Sequence, residues 1–274
     1  MSDEIAFANT ALESFAALVT LVLLLACIAK IEMQRGIKNT TPKDVKRKTL
    51  DYILIIWLVL HIIVLMADVL SWIAMDSGKN EVWLLFMVNL TFTCLYLECM
   101  VYTYYVKESI CQHEMIGNTY VYLVMLSTVI AIILWITSDI SGKFYYLDAQ
   151  GNYTRGSIYW LCQFYCIIVM CGNIVILLKH RKALVRHDVL SLLMYGLIPI
   201  ASIPAQMLWK STTFNLATTL ALIYICISVH MAQYDRIVEQ EKLLIQQEHE
   251  LSMNQMQMMI AQIQPHFLYT SMTA

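Results

Sequence analysis

The chain has little charge and few residues that interrupt helices. Of its 274 residues, 14% are charged, eight are glycine and four are proline, whereas 59% are hydrophobic and the mean hydropathy is +0.62. A soluble domain has about 25% charged and about 45–50% apolar residues, so a buried core cannot absorb this excess. The composition therefore excludes a soluble enzyme, a secreted disulfide scaffold and a disordered protein, and it predicts that most of the chain faces lipid.

The cysteines also lack the spacing of a metal or redox motif. None of the eight forms a Cys-x-x-Cys pair; seven lie within apolar runs, and Cys111 lies in a short polar connection. We interpret them as small buried hydrophobic residues, and we predict neither a metal site nor a cofactor held by this chain.

Seven apolar segments are each long enough to cross a bilayer, which takes about 20 helical residues. They lie near residues 12–30, 52–75, 82–106, 119–138, 157–178, 189–209 and 213–231. The fold class that we expect is an all-α membrane protein, a seven-transmembrane helix bundle forming a sensor domain over residues 1–231. Pro42 is predicted to begin the second helix, and Pro199 and Pro204 to kink or break the sixth span.

The placement of basic residues predicts the orientation. With the N-terminus outside, only Lys79, Lys143, Arg155 and Lys210 fall on the outer side, whereas fourteen of the 18 basic residues fall on the inner side. Inner connections of membrane proteins are enriched in lysine and arginine. We therefore expect the N-terminus out and the C-terminus in.

The longest outer connection, residues 141–156, predicts a β-hairpin over the outer mouth of the bundle. Strand-forming residues flank the turn-rich stretch from Asp148 to Asn152. The hairpin is either a lid over a ligand pocket, with Asp148 and Arg155 as polar contacts, or a connector whose aromatic rings lie at the headgroup level.

Three ionisable residues lie inside predicted spans. His61 and Asp68 are seven residues apart in the second span and so share a helix face, and Glu98 lies in the third span. Intramembrane ionisable groups usually face the bundle interior. They either line a ligand-binding or proton-sensing cavity or hold the helices together by hydrogen bonds. Further polar candidates are Asn89, Gln163, Asn173 and Gln206.

Two other classes of membrane protein lack sequence support. A retinal protein needs a lysine inside its last helix for the Schiff base, and the span 213–231 contains none. Transporters often contain internal repeats and matching pairs of broken spans. Neither feature is evident in this sequence.

Residues 232–264 are rich in Glu, Gln, Met and Leu and contain no Gly or Pro, which predicts one continuous transmitter helix. Ile237, Leu244, Leu251 and Met258 recur every seven residues, but the second seam of a coiled coil is mostly Glu and Gln. A parallel dimer and a single helix lying on another domain are both compatible with this pattern.

A distinctive motif follows this helix. Gln262-Ile263-Gln264-Pro265-His266-Phe267-Leu268-Tyr269 presents a histidine after a proline and before Phe-Leu-Tyr. A neutral imidazole can attack the γ-phosphate of an ATP molecule that another domain delivers.

The segment resembles the H-box of membrane sensor histidine kinases of the LytS/YesM type. The resemblance implies that His266 is the phospho-acceptor and that Pro265, Phe267, Leu268 and Tyr269 belong to the motif, with residues 262–274 beginning the phospho-acceptor region. Thr270 departs from the family, which has asparagine at that position. We expect this departure, if it has an effect, to alter the phosphorylation of His266.

The resemblance also implies a kinase domain that binds ATP and Mg²⁺, and no such domain is found before residue 274. We expect the chain to be the truncated sensory part of a two-component kinase in a bacterial inner membrane, with its C-terminus in the cytoplasm. The expected partners are lipid, a second copy in a homodimer, a response regulator and an extracellular or membrane-borne ligand, but not nucleic acid. The alternative is a non-enzymatic seven-helix receptor that recruits a partner.

Overall fold

The computed structural model describes residues 3–34, 42–77, 81–110, 118–148, 153–209 and 213–272. Side chains are described from Phe7 to Ile260, apart from short gaps. The chain divides into two compact units, Met1–Cys226 and Ile227–Ala274.

Helices account for most of the described residues. The elements follow in the order α1 (Asp3–Gln34), α2 (Pro42–Ser77), α3 (Glu81–Ile110), α4 (Asn118–Ile136), α5 (Ser138–Ser141), β1 (Tyr145–Leu147), β2 (Tyr153–Arg155), α6 (Trp160–Lys179), a 3-10 turn (Arg181–Ala183), α7 (Arg186–Trp209) and α8 (Thr213–Met272). As predicted, α2 begins at Pro42, where a proline costs no intrahelical hydrogen bond.

Seven of the described helices are long and apolar enough to cross a membrane: α1, α2, α3, α4, α6, α7 and the first part of α8, up to Met231. The prediction of a helical, multi-pass protein is thereby confirmed at the level of length and composition. Large apolar side chains such as Val22 on α1 and Leu126 on α4 are about two-thirds exposed, at 65% and 60%. Such faces suit contact with lipid.

The prolines of the sixth span do not break it. α7 runs without interruption from Arg186 to Trp209 through Pro199 and Pro204. Of the two predicted outcomes, a kink or a break, the break does not occur and the kink stays a prediction. Transmembrane helices tolerate proline because neighbouring groups compensate for the missing backbone donor.

An aromatic cluster joins α2, α3 and α7. The ring of Trp57 on α2 lies 5.6 Å from Tyr102, 5.7 Å from Tyr105 and 4.5 Å from Tyr195, measured between centroids. The hydroxyl of Tyr102 donates to the carbonyl oxygen of Leu192 at 2.8 Å. These tilted and edge-on contacts bury large rings and fix the three helices side by side.

Within the predicted hairpin segment, β1 and β2 pair antiparallel, with Tyr145 opposite Arg155 and Leu147 opposite Tyr153. The hydroxyl of Ser138 accepts hydrogen bonds from the amides of Phe144 and Tyr145, each at 3.0 Å. One buried serine therefore anchors the start of β1 to α5.

The second unit comprises the C-terminal part of α8. The helix assignment continues through Pro265 to Met272, beyond the predicted end at residue 264. The heptad residues Ile237, Leu244, Leu251 and Met258 are all exposed, by 53% to 62%. Their apolar stripe has no covering partner among the described residues.

Gly156 closes the hairpin, and an alanine there is expected to open it. A Cβ at Gly156 would lie 2.1 Å from the carbonyl oxygen of Lys143, a backbone atom that cannot rotate away. We expect Gly156→Ala to cost about 1–3 kcal/mol of stability and to expose residues 141–156 to protease. Limited proteolysis and thermal unfolding in detergent would measure both effects.

The matched control is Gly172→Ala. There the added Cβ would meet the end of the Tyr120 side chain, at 2.5 Å from its hydroxyl oxygen. That side chain can move, so a smaller effect is expected. Equal effects of the two substitutions would contradict the role of Gly156 in closing the hairpin.

Candidate functional site

His61 joins three helices in the interior of the bundle. Its side chain is fully buried on α2. Nδ1 lies 3.1 Å from Oε1 of Glu98 on α3, and Nε2 lies 2.9 Å from Oγ1 of Thr219 on α8. The imidazole therefore uses both ring nitrogens to hold α3 and α8 against α2.

The hydroxyl of Thr219 determines where the protons of this group lie. Thr219 Oγ1 donates its only proton to the carbonyl oxygen of Asn215 at 2.8 Å. It must therefore accept a hydrogen bond from Nε2 of His61, which fixes a proton on Nε2. The contact between Nδ1 and Glu98 then requires one further proton. That proton resides either on the ring, giving an ion pair, or on the carboxyl group, giving a neutral pair.

A second polar group joins α1 to α2 and α8. The amide nitrogen of Asn215 on α8 donates to Oε1 of Glu13 on α1 at 2.9 Å and to Oδ2 of Asp68 on α2 at 2.8 Å. Glu13 is fully buried. One amide thus uses both of its hydrogens to join two acidic side chains from different helices.

The two carboxyl groups lie next to each other, because the same amide nitrogen binds both of them. Ionised carboxylates only accept hydrogen bonds, so a contact between Glu13 and Asp68 becomes a hydrogen bond only if one of them is protonated. Oε2 of Glu13 has no other hydrogen-bond partner in the described part of the chain. Because two adjacent negative charges are costly away from water, the geometry favours one proton shared between the two carboxyl groups.

These contacts form two hydrogen-bonded groups that meet at Asn215, whose backbone carbonyl binds one group and whose side-chain amide binds the other, and together we call them the polar network. It comprises Glu98, His61, Thr219, Asn215, Glu13 and Asp68. The network draws on α1, α2, α3 and α8. α8 is its centre, because Asn215 and Thr219 lie one turn apart on that helix and connect the two acidic ends.

The structure places the site residues predicted from the sequence in two separate regions. His61, Asp68 and Glu98 belong to the polar network. Asp148 and Arg155 lie in the hairpin segment instead, where the Arg155 guanidinium stacks 4.7 Å from the ring centre of Tyr159. Asp148 is partly exposed after β1.

A polar cluster ties the hairpin to the helices. The amide of Asn89 on α3 donates to Oδ2 of Asp139 at 3.0 Å. The Tyr145 hydroxyl shares its one hydrogen between Oδ1 of Asn89, at 2.6 Å, and Asp139. Burial, together with the Asp139 carboxyl group, raises the pKa of Tyr145 above its usual value. The phenol therefore stays protonated and remains a donor.

The remaining predicted polar residues lie outside the polar network. Asn173 donates to Oγ1 of Thr103 at 2.9 Å, which joins α6 to α3. The side-chain oxygens of Gln163, Asn173 and Gln206 have no hydrogen-bond partner in the parts of the chain that are described.

Three members of the polar network, Glu13, Asn215 and Thr219, were not singled out from the sequence. Glu13 lies in the first predicted span and is ionisable, so the rule that identified Glu98 applies to it equally. Asn215 and Thr219 are spaced four residues apart in the last span, which places both on one helix face. The signals were therefore present, but no sequence pattern indicated which residues would be partners.

Among the described residues, no group of three or more His, Cys, Asp or Glu side chains could hold a metal ion. The side chains of the H-box residues, Pro265 to Tyr269, lie outside the described part of the structure, as does Cys111. The backbone of the H-box is part of α8.

No family model matches the chain, and no curated protein is significantly similar to it.

The pairing of His61 with Glu98 generates a stability prediction. We expect His61→Ala to destabilise the protein by about 3–5 kcal/mol, because it leaves the Glu98 carboxyl group buried without its partner. Tryptophan fluorescence during denaturant unfolding in detergent would measure the loss.

Two controls accompany this measurement. His187→Ala removes an exposed histidine on α7 and should change stability by less than about 0.5 kcal/mol. The double variant His61→Leu with Glu98→Met removes both polar partners and should recover most of the loss. A double variant less stable than His61→Ala alone would contradict the pairing.

Proposed function

We propose that the chain is the signal-sensing and signal-transmitting part of a bacterial two-component sensor histidine kinase. In this proposal a ligand acts on the membrane-spanning unit, and the phospho-acceptor is His266. The observation that carries the proposal is that one helix, α8, contains both the centre of the polar network and the H-box.

The transmission step follows from the position of the network. Asn215 and Thr219 hold the first turns of α8 to α1, α2 and α3 through directional hydrogen bonds. Such bonds favour discrete arrangements over continuous sliding, because each alternative must pair every buried polar group again. A ligand that binds one arrangement more tightly shifts the population toward it, and the backbone of α8 carries that shift.

In this proposal the ligand binds on the outer side of the membrane. The lysine and arginine distribution favours the N-terminus outside, which places the hairpin on the same side. Asp148 and Arg155 are then the proposed polar contacts for an extracellular or membrane-borne ligand.

In this proposal the phosphorylation of His266 requires a second copy of the chain. The exposed stripe of Ile237, Leu244, Leu251 and Met258 supplies an apolar seam for a parallel homodimer. Within such a dimer, a kinase domain that binds ATP and Mg²⁺ would present the γ-phosphate to the His266 imidazole. The imidazole nitrogen forms the new bond to phosphorus, ADP leaves, and the phosphoryl group passes to an aspartate of a response regulator.

Thr270 favours one alternative. The family pattern has asparagine at that position, so a chain with threonine could retain the helix and lack phosphorylation. The protein would then be a seven-helix receptor that recruits a partner to the exposed face of α8.

Phosphorylation of membrane vesicles tests the phospho-acceptor. With the gene expressed at its natural length, radiolabelled ATP and Mg²⁺ should produce an acid-labile label that His266→Ala abolishes. His249→Ala, which removes an exposed histidine of the same helix, should leave the label unchanged. Thr270→Asn should increase it.

The two proposals give different results in this assay. A label that persists in His266→Ala would contradict the role of His266. A wild-type protein that signals in cells but takes no label, even as Thr270→Asn, would favour the receptor that recruits a partner.

The polar network gives a second functional prediction. We expect Asn215→Ala to change basal His266 phosphorylation by about fivefold or more, because it disconnects α8 from both carboxyl groups. Asn9→Ala is the matched control: Asn9 is a buried asparagine of α1 whose amide nitrogen has no hydrogen-bond partner in the described chain. Equal changes in the two variants would contradict transmission through Asn215.

A further inference from the structure

The two neighbouring carboxyl groups of the polar network have no basic side chain to balance their charge. The Asn215 amide binds Glu13 at 2.9 Å and Asp68 at 2.8 Å, but an amide is neutral. Among the described residues, no lysine, arginine or histidine forms an ion pair with either carboxyl group. Even when the two groups share one proton, they therefore retain one negative charge. A buried charge without a counter-charge is costly.

Each of the two carboxyl groups also keeps one oxygen that its neighbours do not satisfy. Oε2 of the fully buried Glu13 has no hydrogen-bond partner in the part of the chain that the structure describes. The Ser71 hydroxyl donates its one hydrogen to the backbone oxygen of Asp68 at 2.7 Å, which leaves Oδ1 of Asp68 with only a long contact of 3.4 Å. The site thus has negative charge and two underused oxygens together.

The pair lies close to one end of the bundle. Asn215, which binds both carboxyl groups, is the third residue of α8, so it lies only about 3 Å along the helix axis from Thr213, where that helix begins. The Asp68 side chain is partly exposed, in contrast to that of Glu13. The pair is therefore not sealed from its surroundings, and a small solute has a short distance to travel.

We propose that Glu13 and Asp68 form a binding site for a small monovalent cation, either an alkali-metal ion such as sodium or a primary ammonium group. One positive charge balances the one negative charge that the pair retains, so the occupied site is neutral in a medium of low dielectric constant. Carboxylate oxygens suit such hard cations and N–H donors, whereas metals that prefer thiolate or imidazole find no such ligand here among the described residues.

Occupancy would strengthen the connection between α1 and α2, because the cation attracts both carboxyl groups that the Asn215 amide already joins. The expectation that the chain holds no metal came from the spacing of its cysteines, which carries no information about a site made of oxygens. This inference is independent of the proposed kinase function, since cation binding can be measured without phosphorylation.

Thermal unfolding of the whole chain in detergent tests the site. Chloride salts of sodium, methylammonium and choline are compared at the same concentration, about 100 mM, so that ionic screening is equal. We expect sodium or methylammonium to raise Tm by about 3 °C or more relative to choline, whose methyl groups keep its charge away from the carboxyl oxygens. A response to sodium alone identifies a metal ion as the ligand, and a response to methylammonium identifies an ammonium group. Equal Tm values in all three salts would overturn the proposal.

Isosteric variants connect this response to the two carboxyl groups. Glu13→Gln combined with Asp68→Asn removes the charge but keeps an oxygen acceptor for the Asn215 amide at each position, and it should abolish the difference between the salts. Glu81→Gln is the matched control, because it removes an exposed carboxyl group at the start of α3, and it should preserve the difference.

A double variant that responds as the wild type does, or a response that Glu81→Gln abolishes, would contradict the assignment to Glu13 and Asp68. The comparison of salts on the wild-type chain needs no substitution, so it remains decisive if the double variant does not fold.

Discussion

A hydrocarbon environment offers no water to a polar side chain, and this constraint governs the interior of the bundle. Each buried donor or acceptor must find its partner on a neighbouring helix or remain unsatisfied at a cost of several kcal/mol. Six polar side chains find partners in the polar network across α1, α2, α3 and α8. Within the described part of the chain, Oε2 of Glu13 and Oε2 of Glu98 have no hydrogen-bond partner. The position of α8 depends on this network, because Asn215 and Thr219 connect both of its acidic ends.

The network also differs from an ordinary set of interhelical hydrogen bonds in its proton count. The hydrogen-bond geometry calls for a proton between His61 and Glu98, and it favours another between Glu13 and Asp68. A movement of α8 that separates these partners would leave each of them to find a new one. Few intermediate arrangements satisfy every group, so the network favours discrete positions of α8.

The fold was largely predictable, and the pairing of side chains was not. The seven spans follow from composition, since a span needs about 20 apolar residues and the connections between spans are polar. The paired strands follow from strand-forming residues on either side of a turn. Which residue meets His61, however, depends on how α2, α3 and α8 are rotated about their axes, and no local pattern specifies that rotation. α7 continues through Pro199 and Pro204 for a similar reason, because a local rule for proline leaves out the support of neighbouring helices.

The pairing of His61 with Glu98 has a consequence for the electrical behaviour of the protein. A membrane potential does about 2.3 kcal/mol of work per 100 mV on each elementary charge moved across the membrane. This pair is neutral overall whether its proton lies on the imidazole or on the carboxyl group, so moving it as a unit with α2 transfers no net charge. A movement that carries this pair as a unit is therefore insensitive to voltage.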